Sequence, residues 1–137
     1  MKLWLDDIRE PWKFGRLGWT WVKTAKAAIE AFKTGEVEEA SLDHDLSEDQ
    51  MVQGGFLGKV FEDGKGTGYD VVCWLEENPQ YWPKGGVVVH SANPAGKERM
   101  IKVLDKIYSG LLADNYANKM IDNLHNQGEK QNSMCCQ

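Results

Sequence analysis

The sequence contains few of the residue types that several protein classes require. Its 137 residues include only three cysteines, three histidines and four prolines. Three cysteines cannot form the paired disulfide framework of a small secreted protein, and Cys135 and Cys136 have no cysteine or histidine partners at zinc-finger spacing. Because reduced thiols are typical of the cytoplasm, we expect a cytoplasmic protein.

Long hydrophobic runs and a basic surplus are also missing. No apolar stretch approaches the roughly 20 residues that span a membrane. A strand-like run begins at Lys2, so we expect neither a membrane segment nor a secretory signal. Acidic residues outnumber basic ones by 21 to 16, which gives a net charge of −5. Since a protein that coats duplex DNA needs a basic face, we expect no duplex DNA binding.

Strand-like and helix-like patterns alternate along the chain. They predict strands at 2–5, 19–22, 39–42 and 86–89, and helices at 25–33, 68–78 and from Pro94 through Ile107, with a further amphipathic segment at 111–124. Pro11, Gly15 and Gly18 disfavour a helix after the first strand, so a loop is expected there. This order predicts an α/β domain with a mainly parallel sheet of four to five strands. We expect one domain over residues 1–127 and a disordered tail over residues 128–137.

Polar side chains follow three of the predicted strands, at the point where each strand ends. They are Asp6 and Asp7 after the first strand, Asp43, His44 and Asp45 after the third, and His90, Ser91 and Asn93 after the fourth. The carboxyl ends of parallel strands meet at one edge of a sheet, where ligands bind. We therefore expect these side chains to share one pocket.

Carboxylates at adjacent strand ends are the hard oxygen ligands that Mg²⁺ and Mn²⁺ prefer. The predicted ligands of a divalent metal are Asp6, Asp7, Asp43 and, as a further candidate, Asp45. Without a cation these negative charges would repel one another. The alternative is that Asp6 and Asp7 cap a turn and that Asp45 is merely solvated. Recurrence at successive strand ends favours the metal site.

His44 and His90 are candidates for proton transfer. Between carboxylates an imidazole favours its charged form, which donates a proton to a leaving oxygen. Ligation of the metal by a neutral imidazole is the alternative. A Ser–His–Asp hydrolase is less favoured, because Ser91 and His90 are neighbours along a strand and point to opposite faces.

Aromatic and basic residues are interleaved in the first loop and the second strand. They are Trp12, Trp19 and Trp21, with Arg9, Lys13 and Arg16. Such a set suits the stacking of a base and the binding of a phosphate. The favoured alternative is that the aromatic rings cover the sheet where the first helix is missing.

Four motifs resemble the cyclic-phosphate processing receiver domains, a divergent branch of the receiver-like (CheY-like) fold in phage and bacteria. They are LWLDDIREP at 3–11, SLDHDL at 41–46, TGYDVV at 67–72 and VHSANP at 89–94. The resemblance implies a three-layer receiver-like (flavodoxin-like) domain. It also implies a cation on Asp6 and Asp7, a phosphate acceptor at Asp43 and a phosphoryl contact at Ser91.

The chain departs from signalling receivers in two ways. The lysine that follows a fifth strand in receivers has no counterpart, because the sequence after Pro94 is predicted to be helical. His44, Asp45 and His90 are additions that a phospho-relay does not need. Both departures favour a hydrolytic site on the same scaffold.

We therefore predict a metal-dependent phosphoesterase that acts on RNA 2′,3′-cyclic phosphate ends or on cyclic nucleotides. The family implies a role in phage–host conflict, in the host cytoplasm if the gene is phage-borne. The predicted roles are catalysis for His44, His90 and Asp43, substrate binding for Arg9, Ser91 and Asn93, and closure of a lid for residues 54–66. The alternatives are a signalling module phosphorylated on Asp43 and a nucleotide-binding sponge without catalysis. The sequence does not indicate an oligomeric state.

Overall fold

A computed structural model describes the backbone of residues 1–46 and 66–136, and the side chains as far as residue 121. Within this part of the chain four parallel strands form one sheet in the order β2-β1-β3-β4. They are β1 (Lys2–Leu5), β2 (Thr20–Val22), β3 (Glu39–Leu42) and β4 (Val87–Val89). The helices are α1 (Ala25–Lys33), α2 (Gly68–Glu77) and α3 (Pro94–Cys136), with 3₁₀ turns at Pro11–Phe14 and Pro79–Tyr81.

The predicted α/β architecture with a parallel sheet is confirmed. A 3₁₀ turn and irregular chain stand between β1 and β2 where an α/β unit would place a helix, as the sequence predicts. The chain after β4 is helical from Pro94 to Cys136, so no fifth strand follows β4 among the described residues. Of the predicted lid over residues 54–66, residues 54–65 lie outside the described residues.

Side-chain caps explain where α1 and α2 begin. The Thr24 hydroxyl accepts a hydrogen bond from the Ala27 N–H at 3.0 Å, which satisfies one of the free donors of the first turn. Thr67 and Asp70 form a reciprocal capping box at the start of α2. The predicted bounds of α1 agree with those observed, and Gly35 follows its end with a φ of 75°.

The helix α3 is continuous, and Gly110 does not interrupt it. The chain divides into two compact units, Met1–Asp105 and Lys106–Gln137. No helical break marks the boundary predicted after residue 127, and the predicted limits of the domain and of its tail stay predictions. Among the described helices, none combines the length and the apolar character needed to cross a bilayer.

The register of the sheet assigns each side chain to a face. Trp4 is level with Trp21 on β2 and with Ser41 on β3, and Ser41 is level with Val88 on β4. Because successive residues of a strand point to opposite faces, these four side chains share one face. We call it the tryptophan face.

The opposite face of the sheet forms the main hydrophobic core. Its strand residues Leu3, Leu5, Ala40 and Leu42 are fully buried. The buried residues of the helices, which include Phe32 on α1 and Leu75 on α2, complete this core. α1 contacts both β1 and α2. The register of the strands is set by the hydrogen-bond ladder between them.

Candidate active site

The polar residues that follow β1, β3 and β4 stand side by side because the hydrogen-bond ladder continues past the strands. The Asp6 N–H donates to the Val22 carbonyl at 3.1 Å, the Asp43 N–H to the Leu5 carbonyl at 2.9 Å, and the His90 N–H to the Leu42 carbonyl at 3.0 Å. Asp6 lies two residues beyond Trp4, and Asp43 lies two residues beyond Ser41. Alternation therefore places Asp6, Asp43 and His90 in one row on the tryptophan face.

The carboxylate of Asp6 is buried and accepts four hydrogen bonds. Its Oδ1 accepts from the backbone N–H groups of Ile8 at 2.9 Å and Arg9 at 2.8 Å. Its Oδ2 accepts from Arg9 Nε at 2.9 Å and from His90 Nε2 at 3.0 Å. Burial acts to raise the pKa of Asp6, but the hydrogen bonds from His90 and the backbone outweigh it and lower the pKa. Asp6 is thus a fixed, ionised group that also caps its turn.

Asp43 is buried in a less favourable environment than Asp6. Its Oδ1 accepts from the His44 N–H at 2.9 Å and pairs with Arg9 Nη2 at 3.1 Å. Burial, and then repulsion by the Asp6 charge, raise the pKa of Asp43 above its ordinary value, although Arg9 opposes both. Burial and the Asp6 charge therefore destabilise the ionised form of Asp43, and a bound cation would stabilise it.

Arg9 joins the two carboxylates through one guanidinium group. Nε contacts Asp6 and Nη2 contacts Asp43, and about a third of the side chain is exposed. Although burial acts to lower it, the charges of Asp43 and Asp6 raise the pKa of Arg9 above its ordinary value. Arg9 therefore supplies the main positive charge beside Asp6 and Asp43. The sequence predicts that Arg9 binds the substrate.

The imidazole of His90 is held from three sides. Nε2 lies 3.0 Å from Asp6 Oδ2, and Nδ1 lies 2.7 Å from the hydroxyl of Ser41. The ring stacks on Trp4 with centroids 3.8 Å apart and planes 5° from parallel. A carboxylate accepts only, so Nε2 carries a proton. Ser41 lies between Trp4 and Val88 in register, and its small side chain leaves room for the ring to reach Trp4 across β3.

Asp6, Asp7 and Asp43 form a group that suits a divalent cation. One carboxylate oxygen from each lies within 4.8 Å of the others. Three hard oxygen donors at strand ends match what Mg²⁺ and Mn²⁺ require, with the remaining positions left to water and substrate. The donor set therefore fits the predicted cofactor. Asp45 is not a member of this group.

His44, the residue after Asp43, belongs to a second cluster of polar side chains, with Asp45, Asn93 and Arg99. Its Nδ1 is 2.6 Å from Asp45 Oδ1, and its Nε2 is 3.4 Å from a guanidinium nitrogen of Arg99. Asn93 donates to the same Asp45 oxygen at 3.3 Å. Burial acts to raise the pKa of Asp45, but the His44 and Asn93 hydrogen bonds lower it below its ordinary value. His44 and His90 thus face different carboxylates.

Ser91 and Asn93 organise the turn between β4 and α3. The Ser91 hydroxyl accepts from the Asn93 N–H at 3.0 Å, and Asn93 Oδ1 accepts from the Gly96 N–H at 3.0 Å. Asn93 therefore caps the first turn of α3 while its amide nitrogen binds Asp45. These contacts bring Asn93 into the second cluster, and the predicted substrate contacts of both residues stay predictions.

The aromatic residues of the first loop cover Trp4. Phe14 stacks on Trp4 at 5.7 Å between centroids, and Trp19 meets it edge-on at 6.4 Å. Trp4 is consequently buried although no α-helix lies between β1 and β2. These contacts favour the interpretation that the loop aromatics replace a helix. Trp12 differs, because it packs against Trp21 and stays about half exposed.

The family model for the cyclic-phosphate processing receiver domain matches residues 1–106. The chain belongs to this family. The predicted resemblance and the receiver-like fold are therefore confirmed. Membership indicates a role in the processing of cyclic phosphates. No curated protein and no solved structure matches the chain.

The site of this cyclic-phosphate processing receiver domain includes residues that sequence reasoning missed. Ser41 and Trp4 hold His90. Trp21 was named from the sequence only for base stacking, and its indole N–H donates to the Asp6 carbonyl at 2.6 Å. Arg99 joins His44 in the second cluster. For Ser41 a signal was available, because a small polar residue two positions before Asp43 must share its face. For Arg99 no such signal existed, since it lies on a helix far along the chain.

Proposed function

We propose that this receiver domain is a divalent-metal-dependent phosphoesterase that opens cyclic phosphates, either RNA 2′,3′-cyclic ends or cyclic nucleotides. The observation that carries the proposal is the row of Asp6, Asp43 and His90, in which a protonated imidazole nitrogen lies beside a three-carboxylate group. Family membership supports the cyclic phosphate as substrate class. Neither observation depends on the other.

The metal group and the histidine have separate roles in this proposal. Asp6, Asp7 and Asp43 would hold Mg²⁺ or Mn²⁺, which supplies Lewis acidity toward a phosphoryl oxygen and lowers the pKa of water. His90 would donate its Nε2 proton to the leaving oxygen of the opened ring. The Asp6 carboxylate accepts from Nε2 and so keeps the proton of the imidazole on that nitrogen.

The second cluster has a supporting role in the proposal. His44 is oriented by Asp45, which Asn93 orients in turn, so its Nδ1 carries a proton toward Asp45 and its Nε2, which faces the donor Arg99, is the accepting nitrogen. A histidine oriented by a carboxylate is suited to accept a proton from an attacking water. The charge of Arg9 also acts to lower the pKa of Asp45.

The receiver-type alternative shares Asp43 with this proposal. Asp43 follows β3, the position at which signalling receivers are phosphorylated according to the family resemblance. However, the chain after β4 is helical, so the described residues offer no fifth strand after β4 to carry the receiver lysine. This absence supports hydrolysis over a phospho-relay.

The proposal is tested with RNA that carries a 2′,3′-cyclic phosphate and with cyclic dinucleotides, in Mn²⁺ or in EDTA. Cleavage by the wild type is expected in Mn²⁺ and not in EDTA. Asp43→Asn is expected to lose at least about 100-fold in rate, because it removes a ligand of the Lewis acid. His90→Gln keeps an amide donor toward Asp6 but loses the transferable proton, and is expected to lose about 100- to 10,000-fold.

Glu30→Gln on α1 is the matched control, because it removes an exposed carboxylate that pairs only with Lys33 in the described contacts. Its rate is expected to equal that of the wild type. Full activity in EDTA, or undiminished activity of Asp43→Asn, would contradict the proposal. A phosphorylated Asp43 without turnover would indicate signalling, and recovery of intact ligand from a denatured complex would indicate a sponge.

A second prediction concerns the positioning of His90 by Ser41. Ser41→Ala keeps the small volume that the ring needs but removes the hydrogen bond to Nδ1. We expect kcat to fall about 10- to 100-fold with KM little changed, as for other groups that orient a functional histidine. A change confined to KM would contradict this role.

A further inference from the structure

Arg9 occupies the carboxylates that a divalent cation would need. Its Nε lies 2.9 Å from Asp6 Oδ2, and its Nη2 lies 3.1 Å from Asp43 Oδ1. Asp6 and Asp43 are two of the three residues whose oxygens form the candidate metal group. One guanidinium therefore spans the same pair of negative charges that a metal ion would neutralise.

A cation and this guanidinium cannot both keep their positions without strong repulsion. Asp6 Oδ1 is already bound by two backbone N–H groups, so a metal would have to approach through Oδ2, the oxygen that Arg9 and His90 share. Like charges a few ångströms apart in a buried site interact strongly. Binding of a divalent cation consequently requires that the Arg9 side chain move away.

The backbone of Arg9 is anchored, so movement is confined to its side chain. The Arg9 N–H donates to Asp6 Oδ1 at 2.8 Å, and the Arg9 carbonyl accepts from the Trp4 indole N–H at 2.8 Å. Trp4 is itself buried. The exposed third of the side chain shows that a path to solvent is open. A released guanidinium would remain tethered at the edge of the acidic row.

We propose that Arg9 is a built-in counter-ion that competes with the divalent cation for Asp6 and Asp43, and that its release by the cation makes the guanidinium available to the substrate phosphate. This inference rests on the proposed function, which supplies the cation and the phosphate. A guanidinium binds phosphate oxygens through two parallel hydrogen bonds. Because coupling between two ligands is reciprocal, cation and phosphate each strengthen the binding of the other.

The direct test is the affinity for Mn²⁺, measured by isothermal titration calorimetry without any cyclic phosphate. Arg9→Gln removes the competing charge and is expected to bind Mn²⁺ at least about tenfold more tightly than the wild type. Lys13→Gln is the matched control, because Lys13 lies in the same loop and pairs with Glu10. Its affinity is expected to stay within about twofold of the wild type, since exposed charges are screened.

The second arm measures coupling with inorganic phosphate. In the wild type, Mg²⁺ is expected to tighten phosphate binding, whereas in Arg9→Gln this gain is expected to be lost. A third measurement needs no variant: the NMR signal of the Arg9 Nε–H should shift, and its exchange with water should accelerate, when Mg²⁺ is added. This third measurement keeps the test valid if Arg9→Gln folds poorly by circular dichroism.

The outcomes separate this inference from the proposed function. Tighter Mn²⁺ binding by Arg9→Gln in a protein that cleaves no cyclic phosphate would support the competition and contradict the phosphoesterase. Equal or weaker Mn²⁺ binding by a folded Arg9→Gln would overturn the competition, even if the wild type cleaves its substrate. Absence of Mn²⁺ binding in both proteins would also overturn the competition. The same holds if the NMR signal of the Arg9 Nε–H neither shifts nor exchanges faster when Mg²⁺ is added.

Discussion

The Asp6→Asn variant is expected to unfold at a lower temperature than the wild type, and the Asp43→Asn variant at a higher one. Asp6 accepts four hydrogen bonds, one of them from a guanidinium. An asparagine offers only one oxygen, so its amide N–H₂ would face donors and leave buried groups unpaired. Loss of such charge-assisted bonds is expected to cost about 3 kcal/mol in the free energy of unfolding.

Asp43 is expected to behave in the opposite way because its charge is poorly accommodated. Burial and the neighbouring Asp6 raise the pKa of Asp43, so its ionised form is less favourable in the folded chain than in the unfolded chain. Asparagine keeps the Oδ1 that accepts the His44 N–H and removes the charge, while Arg9 retains Asp6. A gain of about 0.5–2 kcal/mol is expected, as is common where a site is built for function rather than stability.

The pH dependence of the two variants follows from the direction of each pKa shift. The lowered pKa of Asp6 stabilises the fold above the ordinary value of 3.8, and this stability is lost as pH falls through the folded pKa. The raised pKa of Asp43 has the opposite sign: stability decreases as pH rises from 3.8 through the folded pKa. The gain in the free energy of unfolding of Asp43→Asn over the wild type should therefore disappear in acid.

Thermal unfolding followed by circular dichroism, from neutral pH into acid and in EDTA, checks both expectations. Glu30→Gln serves again as the control, with a change within about 0.5 kcal/mol as for an ordinary surface site. Destabilisation by both aspartate variants at neutral pH would mean that Asp43 is a structural residue. That result would remove the argument that a cation relieves its charge.

Gly68→Ala is expected to have the second large effect, because the first residue of α2 touches the end of β3. A β-carbon at Gly68 would stand 1.8 Å from the Asp43 carbonyl oxygen and 2.9 Å from the Met100 methyl group. The Gly68 N–H also donates to the His44 carbonyl at 2.9 Å. Relief of this overlap would push α2 away from the site. A loss of about 3 kcal/mol, together with weaker Mn²⁺ binding, is expected.

Gly110→Ala is the control for Gly68→Ala, since it makes the same chemical change inside a helix. A β-carbon at Gly110 meets nothing within 4 Å. Alanine is the better helix former, so a gain of about 0.5–1 kcal/mol is expected. Chemical denaturation of both variants measures the difference. Gly68→Ala with wild-type stability would show that α2 does not contact Asp43 as closely as the structure describes.

Much of the fold was predictable from local sequence signals. Thr24 and Gly35 mark the ends of α1, and apolar runs locate β1 and β3 with the bounds that the structure has. The order of these elements predicted the parallel sheet, because strands joined through helices run in the same direction. The continuity of α3 was not predicted, since the sequence pattern indicated a helix through Ile107 and a separate amphipathic segment at 111–124.

The sequence predicted which strand ends form the candidate site, but it did not predict which side chains contact one another there. Asp6, Asp43 and His90 were expected together, and the extended ladder does align them. His44 was expected in the same pocket, yet its ring meets Asp45 and Arg99. The period of two along a strand explains this difference, because residues 43 and 44 point in opposite directions.

By itself, the sequence determined which residues carry charge, where the strands stop and which family the motifs resemble, because these are local properties of the chain. Only the tertiary structure decided that Arg9 would bridge Asp6 and Asp43 and that His90 would rest on Trp4 beside Ser41. Such pairings join residues that lie far apart in the sequence, such as Trp4 and His90. They arise from packing between separate elements, and spacing along the chain does not specify which side chains meet.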